Sequence, residues 1–204
     1  MVVRIYGNRP IKTLTGQNTR PTTSRVREAL FNIWQGNVHG CRWLDLCAGS
    51  GALGAEALCR GATRVVGIEK VPKACAIIQH NWESVCSSQQ SIQVMRGDVL
   101  QRIDTLSGQV FDRIYFDPPY ASELYHPVLE AIATVGLLSD GGEIAVEHDR
   151  AQVLPDEVTP KATGHNQPCS ASDSPPSVDS TLTCCRRKHY GRTSLTFYRH
   201  QKHS

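Results

Sequence analysis

The sequence lacks long apolar runs: no stretch approaches the ~18 residues that a membrane span requires. The first ten residues, MVVRIYGNRP, lack the extended apolar core of a secretory leader. The expectation is a cytoplasmic chain with no membrane association. Eight cysteines are present, but none form a C-x-x-C pair or a Cys/His ligand spacing, so neither a metal site nor a disulfide framework is expected. The adjacent Cys184 and Cys185 are read as incidental. No internal repeat is visible. Acid is missing where base is concentrated: residues 184–204 hold six Lys or Arg and no Asp or Glu. Residues 1–40 hold six more (Arg4, Arg9, Lys12, Arg20, Arg25, Arg27) against one acid, Glu28. The net charge of +3 therefore hides two basic ends around an acidic centre. That distribution points to ends that meet a polyanion. What remains is ordinary for a soluble globular chain: 204 residues, 40% hydrophobic and 20% charged.

Along the chain, strand and helix patterns alternate. VVRIYG and IKTL read as short strands, TGQNTRPTTS as a polar loop, and the segment after it as a helix with Val26, Leu30 and Ile33 on one face. RWLDLC, RVVGIE, SIQVMRG, FDRIYF and GEIAVEH read as strands, separated by helical patterns that include GALGAEALCR and VPKACAIIQHNWESV. Such alternation predicts an α/β fold with a mostly parallel sheet covered on both faces. RRKHYGRTSLTFYR reads as an antiparallel strand hairpin turning near Gly191. Residues 155–183 are rich in Ser, Thr, Pro and Asp and read as a flexible insertion. The expected organisation is a basic extension over 1–36 and one domain over 37–204 that carries this insertion.

Ligands of such sheets sit at the carboxyl ends of the strands. Asp45, Glu69, Asp98 and Asp117 all fall at or just beyond predicted strand ends. LDLCAGSGALGAEAL carries Gly49, Gly51 and Gly54, a G-x-G-x-x-G between strand and helix, with Glu69 twenty residues after Gly49. Alone this fits a dinucleotide site, and alone it is a weak signal. Asp45 argues against a nicotinamide enzyme, because a carboxylate there repels a pyrophosphate and attracts a cation. S-adenosyl-L-methionine supplies an ammonium and a sulfonium without phosphate. Asp98 suits an adenine amino group, or equally an N-cap for the helix that follows.

The segment FDPPYAS sets Asp117, Pro118, Pro119 and Tyr120 immediately after an apolar strand. Two prolines cannot continue a strand, so the chain stops stiffly there. This pattern resembles the [Asp/Asn/Ser]-Pro-Pro-aromatic motif of amino-methyltransferases. An exocyclic amine is a poor nucleophile because its lone pair is delocalised into the ring. The Asp117 carboxylate and the Pro118 carbonyl can each accept one of its N–H groups, and Tyr120 can stack on the base.

RPTTSRVREALFNIW, the glycine loop, Glu69-Lys70, FDPPY and YGRTSLTFYR together are similar to one family, the bacterial D-type small-subunit (16S) ribosomal RNA guanine-N2 methyltransferases. The resemblance covers residues 1–150 and 186–199. It implies a Rossmann-like methyltransferase domain with a small N-terminal hairpin, S-adenosyl-L-methionine as cofactor, and methylation of a guanine in 16S ribosomal RNA within the small ribosomal subunit. By resemblance, Asp45, Gly49, Ser50, Gly51, Gly54, Glu69 and Asp98 hold the cofactor, and Asp117, Pro118, Pro119 and Tyr120 are catalytic. Arg20, Thr22, Arg25 and Arg27 then face RNA. The insertion at 155–183 is longer than the family's usual connection. A monomer is expected. The alternatives are a DNA adenine or cytosine amino-methyltransferase, for which 204 residues show no large target-recognition domain, and a non-catalytic RNA-binding assembly factor.

Overall fold

The computed structural model describes residues 2–13, 24–120, 122–161 and 180–201. The chain opens with strand β1 (Val2–Ile5), a 3-10 turn (Tyr6–Asn8), strand β2 (Arg9–Lys12) and helix α1 (Ser24–Ile33). Strict alternation follows: β3 (Arg42–Leu46), α2 (Ala52–Cys59), β4 (Arg64–Glu69), α3 (Pro72–Val85), β5 (Ser91–Arg96), α4 (Val99–Asp104), β6 (Phe111–Phe116), α5 (Tyr125–Val135) and β7 (Leu138–Asp149). Strands β8 (Glu157–Val158), β9 (Leu182–Tyr190) and β10 (Thr193–His200) complete it. Among the described residues no helix is long and apolar enough to cross a membrane.

The main sheet has the order β5-β4-β3-β6-β7-β10-β9-β8. Strands β5 to β7 of that order run parallel, and β10, β9 and β8 add to the edge antiparallel, with the β9–β10 turn at Gly191 (φ 65°). Successive strand side chains point to opposite faces, and the sequence uses this to build two cores. Leu44, Leu46, Ile114, Phe116, Ile144 and Val146 pack under α4 and α5. Trp43, Val65, Tyr115, Ala145 and Phe197 pack under α1, α2 and α3. Strands buried on both faces need largely apolar runs, as β3, β4 and β6 provide, whereas the edge strand β5 alternates exposed and half-buried positions. The chain winds outward from β3 through β4 to β5, then returns to the other side of β3 through β6. The topological switch point therefore lies between β3 and β6, and a crevice opens at their carboxyl ends.

The N-terminal residues are part of this architecture. Ile5, Ile11, Val26, Leu30, Phe31 and Trp34 are buried in the same core as Trp43 and Phe197. Arg27, expected to face RNA, is instead only 4% exposed. Its Nε donates to Glu56 Oε2 at 2.8 Å and its Nη2 to the Arg4 carbonyl at 2.8 Å. The cause is Glu56: a carboxylate buried on α2 requires a charged partner, and Arg27 and Arg60 supply two. Arg25, one residue pair away, is exposed on α1. Arg20 and Thr22 lie outside the described residues. The insertion also has different limits from those expected. Val158 and Leu182 are buried and pair as strand residues, and the Tyr198 hydroxyl donates to the Pro155 carbonyl at 2.7 Å. Glu157, Val158, Leu182 and Thr183 thus belong to the sheet edge, and 162–179 lie outside the described residues.

Arg27→Ala removes one counter-charge from buried Glu56, and an expected loss of about 3 kcal/mol follows from breaking a buried pair. Arg25→Ala should stay within ~0.5 kcal/mol of wild type. Urea denaturation of the two variants tests both; equal midpoints would refute the buried pair.

Candidate active site

The loop after β3 is built from left-handed backbone. Cys47 (φ 61°), Gly49 (φ 58°) and Gly51 (φ 71°) turn the chain sharply into α2. Such a conformation is uncommon for a non-glycine residue such as Cys47. Asp45 lies beneath the loop, 2% exposed, and its Oδ2 accepts the Gly54 N–H at 3.2 Å, at the start of α2. Glu69 clamps the loop from the side: Oε2 accepts the Gly49 N–H and Oε1 the Val71 N–H, each at 2.8 Å. Asn81 on α3 holds a third point. Its Nδ2 donates to the Ser50 carbonyl at 2.9 Å and to the Lys12 carbonyl at 2.8 Å, while its Oδ1 accepts the Lys12 N–H at 2.9 Å.

The three glycines of the motif do different jobs. A Cβ on Gly54 would lie 2.4 Å from Trp82 Cζ2, and one on Gly51 would lie 2.8 Å from Trp82 Nε1. Gly67 on β4 faces the same indole, with a Cβ placed 2.5 Å from Cη2. The Trp82 Nε1–H donates to the Gly51 carbonyl at 2.8 Å. A Cβ on Gly49 would meet no atom within 4 Å. Gly51 and Gly54 are therefore required by helix packing, and Gly49 faces the open crevice.

The four acids do converge. Burial first, and then the charges of Glu69, Asp117, Asp45 and Asp98 in that order, push the Cys47 thiol up to about 12. Burial, and then the charge on Glu69, also hold the Asp45 carboxyl well above the ordinary carboxylate range. Asp98 caps α4, its Oδ1 accepting the Leu100 N–H at 3.1 Å. The capping role is thus occupied, and Oδ2 faces the exposed Lys70 ammonium at 3.8 Å.

Beyond β6, the Asp117 N–H donates to the Leu46 carbonyl at 3.3 Å, which ties the double-proline segment to β3. Pro118 is buried and Pro119 exposed. The Ser122 N–H donates to the Pro119 carbonyl at 2.9 Å. Tyr120 is pinned at its hydroxyl, which donates to Glu147 Oε1 at 3.2 Å and lies 3.1 Å from Thr193 Oγ1. Burial raises the Tyr120 phenol, so it stays a hydrogen-bond donor. Glu147, 3% exposed on β7, also accepts the Tyr115 hydroxyl at Oε2. Sequence reasoning missed Glu147, although the signal was present. It is a fifth acid near a strand's carboxyl end, in GEIAVEH, and strand register pairs Phe116 with Val146 just before it.

Residues 3–167 match the family described as conserved hypothetical protein 95. The chain belongs to that family. YlbH of Bacillus subtilis, provisionally named an rRNA methyltransferase, is 31% identical over 94% of this chain and 93% of its own. A Haemophilus influenzae protein named ribosomal RNA small subunit methyltransferase D is 29% identical over 79% of this chain and 82% of its own. Among solved structures, yhhF of Escherichia coli, provisionally named a methyltransferase, superposes with a TM-score of 0.75 at 24% identity over the whole of both chains. A Streptococcus pyogenes conserved hypothetical protein does so with a TM-score of 0.67 at 35% identity, covering 85% of this chain and 94% of that one. The family agrees with the resemblance drawn from the sequence motifs. The fold is the Rossmann-like methyltransferase fold, mostly parallel with an antiparallel C-terminal hairpin.

Gly54→Ala forces a methyl into the Trp82 ring, with an expected destabilisation of about 1–3 kcal/mol for overpacking. Gly49→Ala meets no neighbour and should cost only about 1–2 kcal/mol for its left-handed backbone, while reducing ligand affinity at the crevice. Thermal unfolding combined with calorimetric titration of S-adenosyl-L-methionine separates the two. Weakened ligand binding only in Gly54→Ala would reverse the assignment.

Proposed function

We propose that the protein methylates the exocyclic N2 amine of a guanine in 16S ribosomal RNA, with S-adenosyl-L-methionine as methyl donor. The observation that carries this reading is the crevice itself: Asp45 and Glu69 hold the glycine loop on one side, through the Gly54 and Gly49 N–H groups, and Asp117-Pro118-Pro119-Tyr120 follows β6 on the other, tied to the end of β3. An acid-lined crevice fits a cationic ligand without phosphates and opposes a pyrophosphate. The open face at Gly49 leaves space for such a ligand against the main chain. Asp45, Gly49, Ser50, Gly51, Gly54, Glu69 and Asp98 form this half of the site, Gly51 and Gly54 through the shape they permit. The names of the relatives support RNA, and specifically small-subunit rRNA, as the substrate class.

The bound donor supplies an electrophilic methyl on a sulfonium. The chain's residues do the rest. The Asp117 carboxylate and the Pro118 carbonyl accept the two N–H groups of the amine, fix the nitrogen, and draw it toward a tetrahedral geometry. Pro119 removes backbone freedom at the bracket. Tyr120 stacks on the extruded base, its ring held by Glu147 and Thr193 through the hydroxyl. Proximity and orientation then supply much of the acceleration.

Exposed Arg25, together with Arg20 and Thr22, is assigned to phosphate contacts; Arg27 acts through α1 packing instead. The protein works as a cytoplasmic monomer on the small ribosomal subunit.

Small subunits from a strain lacking the matching enzyme, incubated with the protein and S-adenosyl-L-methionine, should yield N2-methylguanosine by nucleoside mass spectrometry. A different methylated nucleoside, or none, would overturn the guanine assignment. Asp117→Ala should abolish product while leaving cofactor affinity within a few-fold; wild-type turnover in that variant would refute the bracket mechanism. Arg25→Ala should weaken RNA binding and reduce the salt slope by about 1. An unchanged slope would show that α1 faces away from the RNA.

A further inference from the structure

An open cleft of about 610 Å³ is lined by Tyr120 of the bracket together with Ser122, Tyr125, Gln152 and Val153. Tyr125 begins α5 and is 3% exposed. Its ring is fixed edge-on between Phe116, with centroids 6.1 Å apart, and His148, at 6.3 Å. His148 is itself immobilised, its Nδ1 2.9 Å from the Asp149 carbonyl and its Nε2 2.8 Å from Thr196 Oγ1. Yet the Tyr125 hydroxyl and the Ser122 Oγ are both buried without a hydrogen-bond partner among the described residues. A buried hydroxyl left unpaired costs stability, and each such group needs an explanation. After burial, the charge that acts most on the Tyr125 phenol is Asp117, followed by Tyr120 and Glu147. Tyr125 and Ser122 line the same cleft as Tyr120 of the bracket, and the Tyr125 phenol remains protonated.

We infer that the Ser122 and Tyr125 hydroxyls are the hydrogen-bonding partners of the target base's ring edge, and so favour a guanine edge over an adenine edge. The inference rests on the amine-methylation reading and deepens it. Next to its N2 amine, guanine carries a ring N–H and, beyond that, a carbonyl oxygen. A hydroxyl can both donate and accept, so two of them satisfy that edge, one accepting the N–H and one donating to the oxygen. Beside its amine adenine presents one ring acceptor and then a C–H, so it can pair only one of the two hydroxyls and leaves the other buried and unmet. Val153, 86% exposed in the lining of the same cleft, offers an apolar contact to a base drawn out of its stack.

Tyr125→Phe and Ser122→Ala each delete one oxygen with little change of shape. Three readouts are needed: N2-methylguanosine formation on unmodified small subunits, calorimetric affinity for S-adenosyl-L-methionine, and the thermal unfolding midpoint. Each variant should lose about tenfold in kcat/KM, as expected for one buried hydrogen bond to substrate. Cofactor affinity should stay within twofold, and the unfolding midpoint should hold or rise because an unpaired group has been removed. Wild-type kcat/KM in both variants would overturn the inference. So would a loss of activity that tracks a fall in stability and cofactor affinity, since that marks a structural role. A wild-type protein that binds cofactor but forms no N2-methylguanosine would refute the proposed function, and this inference with it. Active wild type with unaffected variants would refute the inference alone.

Discussion

How closely α2 and α3 can approach β4 decides the shape of the crevice, and Trp82 decides that approach. Its indole is fully buried against three positions that carry no side chain, Gly51, Gly54 and Gly67, and its N–H holds the Gly51 carbonyl. Interiors pack at crystal-like density, so a single methyl at these contacts displaces a helix rather than filling a gap. Once the indole is seated, the start of α2 is fixed, its Gly54 N–H reaches Asp45, and the loop ahead of it has one path. Glu69 and Asn81 then fasten that path at Gly49 and Ser50. The glycine spacing that suggests ligand binding thus reflects, at two of its three positions, a tryptophan thirty residues downstream.

The two halves of the crevice differ in chemistry. On the β3–β4–β5 side the lining is acid and main chain. On the β6–β7–β10 side it is hydroxyl-rich: Tyr115, Tyr120 and Thr193 surround Glu147, and Ser122 and Tyr125 stand nearby. The first half suits a cation. The second suits a flat molecule with a polar edge, because phenols offer both a face and a directional hydrogen bond. Between them stands Asp117, bonded through its backbone to the end of β3.

Much of this was legible in the sequence, and the reasons for the rest are specific. The fold class was readable because strands buried on both faces leave continuous apolar runs between helical patterns. The acids at strand ends were readable because a parallel sheet puts all those ends on one edge. Arg27 was not, because its partner Glu56 lies in a segment that reads as an apolar helix, and neither residue signals burial alone. The limits of the insertion were missed because a two-residue strand, Glu157–Val158, has no detectable period. Asp98 illustrates a different limit: its capping bond is local and predictable, yet that bond uses one carboxylate oxygen and leaves the second facing outward.

Asn81 binds two parts of the molecule that the chain separates. Its amide serves Lys12 on the basic N-terminal hairpin and Ser50 in the glycine loop at once. The freedom of the hairpin and the freedom of the loop are therefore one shared degree of freedom. Whatever orders the loop orders the hairpin, and by the reciprocity of linked equilibria any binding that favoured one seating would favour the other by the same factor.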